Sequence, residues 1–294
     1  NVQSPPEKLT ARDFATDQEV RWCPGCGDYA ILKAVQNTLA QLEADPKNTV
    51  FVSGIGCAAR FPYYMETYGF HTIHGRAPAF ASGLKLANPD LSVWQITGDG
   101  DGLSIGGNHL LHVLRRNLDI QILMFNNQIY GLTKGQYSPT SEVSKVTKST
   151  PMGSIDHPIL PCRFALGADA TFVCRSVDIF VKHLRSMLME AYHHKGTSFV
   201  EIFQNCNIFN DNAFSEFTER KSRDEMVIYC EHGKPLVYGG KKTNKKGLKL
   251  SAKLELEVVE LSDAPTDEEC REAGVLFHDE TSLTLANLLV MMKA

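Results

Sequence analysis

Residues 91–127 read LSVWQITGDGDGLSIGGNHLLHVLRRNLDIQILMFNN, and this stretch decides the fold. Its apolar runs Leu91–Thr97 and Ile120–Phe125 have the length and composition of buried strands. The segment between them, Ile105–Arg116, is predicted to be helical. Strands joined by a helical crossover are parallel partners in one sheet, so the stretch predicts a βαβ unit.

The same alternation of strands and helices continues on both sides of this unit. Upstream, Asp28 is predicted to cap a helix that ends before Pro46, and Thr49–Val52 is predicted to be a buried parallel strand. Downstream, a second strand–helix–strand unit is predicted at Thr171–Cys174, Asp178–His194 and Ser198–Phe203. The pattern indicates an α/β protein with a doubly wound, mostly parallel sheet.

The character of the sequence changes near residue 215. Residues 1–214 are predicted to form one domain, and residues 215–294 a C-terminal extension. In the first domain, Gly131–Leu166 has little periodicity and is predicted to be an ordered functional loop. For the extension, the sequence predicts strands near Met226–Tyr229 and Leu254–Val259, a lysine-rich turn from Lys241 to Lys249 and a last helix over Leu283–Met292.

Composition argues against several classes of function. With 34 acidic and 30 basic residues the formal charge is −4, and no basic run is interleaved with aromatic residues, so nucleic-acid binding is not expected. No apolar stretch approaches the roughly 18 residues of a membrane helix, and no secretory signal is recognised, so a cytoplasmic protein is expected. The 8 cysteines lack the dense, even spacing of secreted scaffolds, which favours thiols or metal ligands over disulfides.

Polar residues at the ends of predicted strands favour a site for a magnesium diphosphate. Asp99 ends the first strand of the βαβ unit, Asn127 ends the second, and the backbone carbonyl of Ile129 offers a third oxygen. Gly98 and Gly100 let the backbone approach a diphosphate, and the following helix offers its N-terminal amides. A Gly-Asp-Gly turn also occurs by chance in many loops, so Asp99 alone does not distinguish a turn residue from a ligand.

Cysteines indicate a second site. Cys23 and Cys26 form a Cys-x-x-Cys turn, which occurs in zinc knuckles, dithiol redox pairs and iron–sulfur sites. Cys57 and Cys206 each follow a predicted strand and complete a set of four. Since ligands bind at the carboxyl ends of parallel strands, both sites are expected at one edge of the sheet. Free cysteine is often buried, so the others are predicted to be structural, namely Cys162, Cys174, Cys230 and Cys270.

Several motifs resemble the thiamine-diphosphate-binding β subunit of the 2-oxoacid:ferredoxin oxidoreductases, and most closely that of the 2-oxoglutarate enzymes. They are the run Trp22–Asp28, the loop Ser53–Cys57, the stretches His74–Ala77 and Ala81–Lys85, and the run Tyr130–Gln136. The resemblance covers roughly residues 20 to 215, and the C-terminal extension matches none of these motifs.

The resemblance implies two bound groups and their contacts. It implies one 4Fe–4S cluster on Cys23, Cys26, Cys57 and Cys206. It implies thiamine diphosphate with Mg²⁺ held by Asp99, Asn127 and Ile129. Further cofactor contacts are implied at Gly54, Ile55, Gly56, Cys57, His74, Gly98, Gly100, Asp101, Gly131 and Leu132.

The resemblance also implies an activity and its partners. The reaction is the oxidative decarboxylation of a 2-oxo acid to its coenzyme A thioester, with electrons leaving one at a time through the cluster to ferredoxin. Thiamine enzymes use a glutamate from a second, pyrimidine-binding domain, whereas only one doubly wound domain is predicted here. The catalytic glutamate is therefore expected on an α subunit, in an αβ dimer or a dimer of αβ units.

Arg60 is the residue that bears on the choice of substrate. It follows Cys57 by three residues and is predicted to pair with the second carboxylate of 2-oxoglutarate, although most surface arginines are only solvated charges. His74 and Arg76 are expected either to contact cofactor phosphate or substrate carboxylate or to join a structural network, and Lys134 to anchor its loop. Pyruvate or another 2-oxo acid, a non-oxidative thiamine enzyme and a zinc-stabilised binding module stay open as alternatives.

Overall fold

The computed structural model describes residues 8–240 and 244–292, and the chain divides into two compact units, Asn1–Ala213 and Phe214–Ala294. Strands and helices alternate along the first unit. They are α1 (Asp28–Gln41), β1 (Thr49–Ser53), β2 (Tyr68–His71), α2 (Ala77–Ala87), β3 (Ser92–Gly98), α3 (Gly107–Arg116), β4 (Ile120–Asn126), β5 (Ile129–Tyr130), β6 (Gln136–Tyr137), α4 (Pro161–Gly167), β7 (Phe172–Val177), α5 (Val181–His193) and β8 (Ser198–Phe203).

Six of these strands form one parallel sheet in the order β2-β1-β3-β4-β8-β7, which confirms the predicted α/β fold. Every residue of β1 and β4 is buried, because both faces of a parallel sheet are covered. The chain passes from β1 outward to β2 and then places β3 on the other side of β1. The carboxyl ends of β1 and β3 therefore flank a topological switch point, where ligands bind in such folds.

Large aromatic side chains fix these strands in the core of the first unit. Phe51 of β1 stacks on Trp94 of β3 with ring centroids 6.0 Å apart, and Phe125 of β4 meets Phe61 edge-on at 5.8 Å. All four side chains are almost fully buried, together with apolar residues of α1 and α5. The strands are thus held in place by a closely packed core.

The strands predicted for this unit are confirmed, with ends that differ by at most three residues. The helix predicted from Ile105 begins at Gly107, because Asp101–Ile105 forms a turn of π-helix. The prediction that Asp28 caps α1 is wrong. Gly27 is the N-cap, and Asp28 is the first helical residue, with a carboxylate that is buried instead of accepting from the helix amides. This burial raises the pKa of Asp28 to about 7.

Strand β2 and helix α2 of the first unit were not predicted from the sequence. β2 is an edge strand of four exposed residues, so it lacks the apolar pattern of a buried strand. The buried face of α2 includes Ala77, Ala81 and Ser82, whose small side chains give weak helical periodicity. The predicted loop Gly131–Leu166 includes β6 and the first part of α4 and is otherwise irregular.

The second unit is built around an antiparallel sheet in the order β11-β10-β9. The predicted strand near Leu254–Val259 is confirmed as β11, and the predicted last helix is confirmed with an earlier end. No helix in the two described ranges is long and apolar enough to cross a membrane. The elements are α6 (Ser215–Thr218), α7 (Arg223–Met226), β9 (Val237–Tyr238), β10 (Lys246–Leu250), β11 (Leu256–Glu260), α8 (Asp267–Glu272) and α9 (Leu283–Leu289).

Two predictions for the second unit are wrong. Met226–Tyr229 is not a strand, because Met226 is the last residue of α7 and residues 227–229 form no regular element. The lysine-rich turn predicted over Lys241–Lys249 overlaps strand β10, and its residues 241–243 lie outside the described ranges. A strand forms here because Leu248 is buried in the core of the unit, whereas Lys246 and Lys249 pair with glutamates.

Candidate functional site

Loops that leave the carboxyl ends of the parallel strands converge on one edge of the sheet. β1 leads into Gly54–Cys57, β3 into Asp99 and β4 into Asn127, and Cys206 lies shortly after β8. Because these strands are neighbours in the sheet, the residues that follow them come together although they are far apart in the sequence. This edge is the candidate site.

Asp99 is a buried carboxylate at this edge. It is 2% exposed, and its Oδ2 accepts a hydrogen bond of 2.6 Å from the hydroxyl of Thr140. Burial raises the pKa of Asp99, whereas hydrogen bonds from Ser138 and Thr140 act in the opposite direction. Within residues 8–240 and 244–292, no cationic side chain forms an ion pair with Asp99. A carboxylate in this situation suits a divalent cation.

Asn127 provides an amide oxygen at the same edge. Its Oδ1 accepts from the backbone amide of Ile129 at 3.2 Å, and its Nδ2 donates to Oε1 of Gln204 at 2.9 Å. The orientation of the amide is consistent with both contacts, because a backbone amide only donates. One carboxylate oxygen, one amide oxygen and a nearby backbone carbonyl form a donor set that fits Mg²⁺.

Asp101 ties the surrounding loops together. Its Oδ1 accepts from the amides of Ile55 at 3.1 Å and Gly75 at 2.7 Å, and from Nδ1 of His74 at 2.6 Å. Its Oδ2 accepts from the hydroxyl of Thr97 at 2.7 Å. The sequence predicted a cofactor contact for Asp101, and the structure gives protein donors to both of its oxygens. Because Nδ1 of His74 is engaged, Nε2 is the ring nitrogen left for a ligand.

The glycine at position 100 is required by a neighbouring ring. A Cβ on Gly100 would lie 2.3 Å from the ring of Tyr130, whose hydroxyl donates to the Gly100 carbonyl at 3.1 Å. Gly56, in contrast, has a φ of +137°, which a side chain rarely adopts, and open space around its Cβ position. The space beside Gly56 is therefore open to a ligand, whereas Tyr130 fills the space on the Cβ side of Gly100.

The four cysteines of the predicted set lie near one another and are free. A Cβ on Gly131 would lie 3.5 Å from Sγ of Cys57 and 3.6 Å from Sγ of Cys206. Burial raises the pKa of Cys57 to about 12, and a nearby carboxylate and the thiols of Cys206 and Cys23 add to the effect. Burial also raises the pKa of Cys26, and the carboxylate of Asp28 and the thiols of Cys206 and Cys57 add to this rise. Metal binding at these thiols would therefore displace protons.

The spacing of these thiols bears on the kind of metal group. In the part of the chain that the structure describes, no three or more His, Cys, Asp or Glu side chains are arranged to hold a metal ion. In a 4Fe–4S cluster each cysteine thiolate binds a different iron. In a zinc site all the thiolates bind one ion at about 2.3 Å, so the cysteine sulfurs are closer together than around a cluster. Four free cysteines are thiols that either kind of metal group would use.

A cavity of about 360 Å³ opens beside the loop after β1. Its lining includes Ile55, Leu132 and the two arginines Arg21 and Arg60. Arg21 pairs with a neighbouring glutamate at 2.9 Å, whereas no carboxylate among the described residues pairs with Arg60. Arg60 therefore brings an uncompensated positive charge to a cavity next to the candidate cofactor loop.

The sequence reasoning missed two residues at this edge, Gln204 and Thr140. Gln204 directly follows β8 and contacts both Asn127 and Cys26, at 2.9 and 3.3 Å. Its position after a predicted strand was the one signal that could have identified it. Thr140 lies in the irregular segment between β6 and α4, where no pattern marks it.

The four remaining cysteines were predicted to be structural. Cys162 is buried and donates to Oε2 of Glu201 at 3.1 Å, and Cys270 is buried in the second unit. Cys174 is partly buried. Cys230 is exposed, so the burial that motivated its predicted structural role does not apply to it.

Comparison with known proteins agrees with this geometry. Residues 54–202 match the family described as thiamine pyrophosphate enzyme, C-terminal TPP binding domain. The match begins in the loop after β1 and ends within β8, so it includes most of the sheet edge described above.

Individual relatives are similar over a longer stretch. A 2-oxoglutarate oxidoreductase subunit KorB from Mycobacterium tuberculosis is 56% identical over 268 residues, which are 91% of this chain and 69% of the relative. The 2-oxoacid:ferredoxin oxidoreductase 1, subunit beta, from Aeropyrum pernix is 46% identical over 204 residues, 69% of this chain and 64% of the relative. A solved 2-oxoglutarate:ferredoxin oxidoreductase from Magnetococcus marinus, with 2-oxoglutarate, coenzyme A and succinyl-CoA bound, has a TM-score of 0.72 and 32% identity, covering 90% of this chain and 89% of that one.

Proposed function

Since this chain belongs to the β subunits of the 2-oxoacid:ferredoxin oxidoreductases, we propose that it is the β subunit of a 2-oxoglutarate:ferredoxin oxidoreductase. The reaction converts 2-oxoglutarate and coenzyme A to succinyl-CoA and CO₂ with release of a proton, and it is reversible. Two electrons leave one at a time and reduce two ferredoxins. The observation that carries the proposal is the convergence of four free cysteines and the Asp99–Asn127 pair on one edge of the sheet.

The proposed diphosphate site uses Asp99, Asn127 and the carbonyl of Ile129 as ligands of Mg²⁺. The buried carboxylate of Asp99 would neutralise part of the charge of the ion, and Asn127 would turn its oxygen toward it. Amides of the Gly54–Cys57 loop and of the turn after Gly98 would bind the diphosphate. Bound there, thiamine diphosphate supplies the carbanion chemistry of decarboxylation.

The proposed cluster site uses Cys23, Cys26, Cys57 and Cys206. Nearness of the thiols, their free state and the absence of a side chain at Gly131 support it. These thiols would hold a 4Fe–4S cluster, which would supply one-electron transfer of the kind that a carrier such as ferredoxin needs.

Arg60 is the proposed contact for the substrate. Its guanidinium lines the cavity beside the Gly54–Cys57 loop and would pair with the distal carboxylate of 2-oxoglutarate. His74, held through Nδ1 by Asp101, would offer Nε2 to the cofactor or substrate. Both roles concern positioning, because neither group is needed to break a bond of the substrate.

We further propose how the chain is organised and assembled. Residues 1–214 would hold both cofactors, and residues 215–294 would be an extension of unassigned role. The pyrimidine-activating glutamate would come from an α subunit, in an αβ dimer or a dimer of αβ units in the cytoplasm. The name of the Aeropyrum pernix relative, a subunit beta, supports such a partner.

The cofactor sites can be tested with reciprocal variants of the anaerobically purified αβ complex. Cys206→Ala is expected to lose iron, inorganic sulfide and visible absorption but to keep thiamine diphosphate. Asp99→Ala is expected to release thiamine diphosphate and Mg²⁺ but to keep iron, because its carboxylate is the charged ligand of the ion. Cys174→Ala is the matched cysteine control and should keep both groups.

The measurement is the content of iron, sulfide and thiamine diphosphate per αβ complex in each of the three variants. Iron lost from Cys174→Ala and retained in Cys206→Ala would contradict the cluster assignment. Unchanged thiamine diphosphate in Asp99→Ala would contradict the magnesium site.

A further inference from the structure

Gln204 lies between the two proposed cofactor sites. It directly follows β8, and its side chain is 1% exposed. Its Oε1 accepts from Nδ2 of Asn127 at 2.9 Å, and its Nε2 donates to Sγ of Cys26 at 3.3 Å. A single buried amide therefore contacts a proposed ligand of Mg²⁺ and a proposed ligand of the cluster.

The orientation of this amide is fixed by its other partners. Nε2 of Gln204 also donates to the backbone carbonyl of Asn205 at 2.6 Å, and a carbonyl only accepts. The nitrogen must therefore face Asn205 and Cys26, which leaves the oxygen for Asn127. Asn127 independently has the matching orientation, because its Oδ1 accepts from the amide of Ile129 at 3.2 Å.

We infer that Gln204 is a positioning residue that couples the two sites, by donating a hydrogen bond to the Cys26 thiolate and by holding the Asn127 amide with its oxygen toward Mg²⁺. The inference rests on the proposed function, because it needs both bound groups. It assigns Gln204 no contact with the substrate and no proton transfer.

The contact with Cys26 has a consequence for the reduction potential of the cluster. A reduced cluster carries more negative charge on its sulfurs than an oxidised one. A donor to a ligand sulfur therefore stabilises the reduced state more than the oxidised state, which raises the potential. Removing the Nε2–H donor of Gln204 should lower it.

The contact with Asn127 has a consequence for cofactor affinity. Without its acceptor on Gln204, the Asn127 amide loses one of the hydrogen bonds that hold its orientation. A neutral hydrogen bond of this kind changes binding by about 2- to 12-fold. The affinity for thiamine diphosphate and Mg²⁺ should fall by that factor.

Two substitutions separate these contacts. Gln204→Met keeps the length of the side chain but removes both the donor and the acceptor. Gln204→Glu keeps an acceptor for Asn127 and removes the amide donor to Cys26. Gln121→Met is the matched control, since Gln121 is also buried and lies near the opposite end of β4.

The measurements use the αβ complex with its cofactors. Redox titration followed by electron paramagnetic resonance gives the midpoint potential of the cluster, and calorimetry on complex stripped of thiamine diphosphate gives its affinity with Mg²⁺. We expect a lower potential in both Gln204 variants, a 2- to 12-fold weaker affinity only in Gln204→Met, and wild-type values in Gln121→Met.

An unchanged potential in both Gln204 variants would overturn the contact with Cys26. Equal losses of affinity in Gln204→Met and Gln204→Glu would overturn the contact with Asn127. Loss of the cluster from both variants at an unchanged melting temperature would assign Gln204 to cluster assembly and overturn the tuning role. Failure of the proposed function itself is distinct, because the wild-type complex would then contain no cluster or bind no thiamine diphosphate.

Discussion

Buried polar side chains extend from the Asp99 carboxylate into the interior of the sheet. The Thr140 hydroxyl lies 2.6 Å from Oδ2 of Asp99 and 3.0 Å from Oδ1 of Asn126. Asn126 Nδ2 donates to Oε1 of Glu201 at 2.7 Å, and Arg175 Nε donates to Oε2 of the same carboxylate at 2.8 Å. Thr140 has one hydroxyl proton, and it donates this proton to Asp99, which is the closer acceptor and carries a charge.

Thr140→Val tests this link, because it removes the hydroxyl and keeps the branched shape of the side chain. We expect thiamine diphosphate with Mg²⁺ to bind about 10- to 150-fold more weakly, since hydrogen bonds to charged groups contribute on the order of 1.5–3 kcal/mol. Thr140→Ser retains the hydroxyl and should bind nearly as well as the wild type. Calorimetry measures both affinities, and an equal loss in the two variants would assign the effect to shape.

Arg60 tests the choice of substrate at the same scale. We expect Arg60→Ala to lower kcat/KM for 2-oxoglutarate about 10- to 150-fold, because the distal carboxylate loses a charged hydrogen bond. Pyruvate and 2-oxobutyrate lack that carboxylate and should react as before. Steady-state kinetics of the αβ complex with all three substrates gives the comparison. A parallel loss on every substrate would assign Arg60 to the cofactor or the fold.

At the scale of elements, the turn after β5 brings the backbone against two of the cysteines. The φ of Gly131 is outside the left-handed region, so the backbone itself tolerates a side chain there. The Cβ position is nevertheless 3.5 Å from one sulfur and 3.6 Å from another. A methyl group here would touch both sulfurs at ordinary van der Waals distance, so a cost of adding it would come from a group bound at the sulfurs and not from backbone strain.

Gly131→Ala should therefore reduce cluster content without destabilising the fold. We expect most of the iron to be lost, because the added methyl group would occupy space beside the sulfurs of Cys57 and Cys206, while the melting temperature of the cofactor-free chain stays close to that of the wild type. Gly167→Ala is the matched control, since its Cβ position in α4 has no neighbour within 4 Å. Full iron content in Gly131→Ala would show that the cluster lies elsewhere.

The sequence predicted the elements whose pattern is local and missed those that depend on distant partners. β1, β3, β4 and β8 were found because a strand buried on both faces is a continuous apolar run. The residues that end these strands could therefore be assigned to one edge. Thr140 could not, because it follows no strand of this sheet and its partner Asp99 is 41 residues away. Gln204 does follow β8, but its partners Asn127 and Cys26 are 77 and 178 residues away, so no local pattern marks its contacts.

At the scale of the whole molecule, this chain is expected to be one part of the catalytic unit. Loaded with cluster, thiamine diphosphate and Mg²⁺, the isolated chain should not reduce ferredoxin with 2-oxoglutarate and coenzyme A, because the pyrimidine-activating glutamate is expected on the α subunit. Addition of the α subunit should produce activity at unchanged cofactor content. Ferredoxin reduction followed by absorbance measures both states, and full turnover without the partner would contradict the expectation.

The position of β8 also constrains how such a protein can mature during biosynthesis. β8 inserts between β4 and β7, yet it is the last strand of the sheet to leave the ribosome, and Cys206 follows it by three residues. A nascent chain that ends earlier carries Cys23, Cys26 and Cys57 as unprotected thiols on an unfinished sheet. Completion of the four-cysteine set thus coincides with closure of the sheet. Under the proposed cluster assignment, iron delivery to all four thiols would have to wait for translation to pass residue 206.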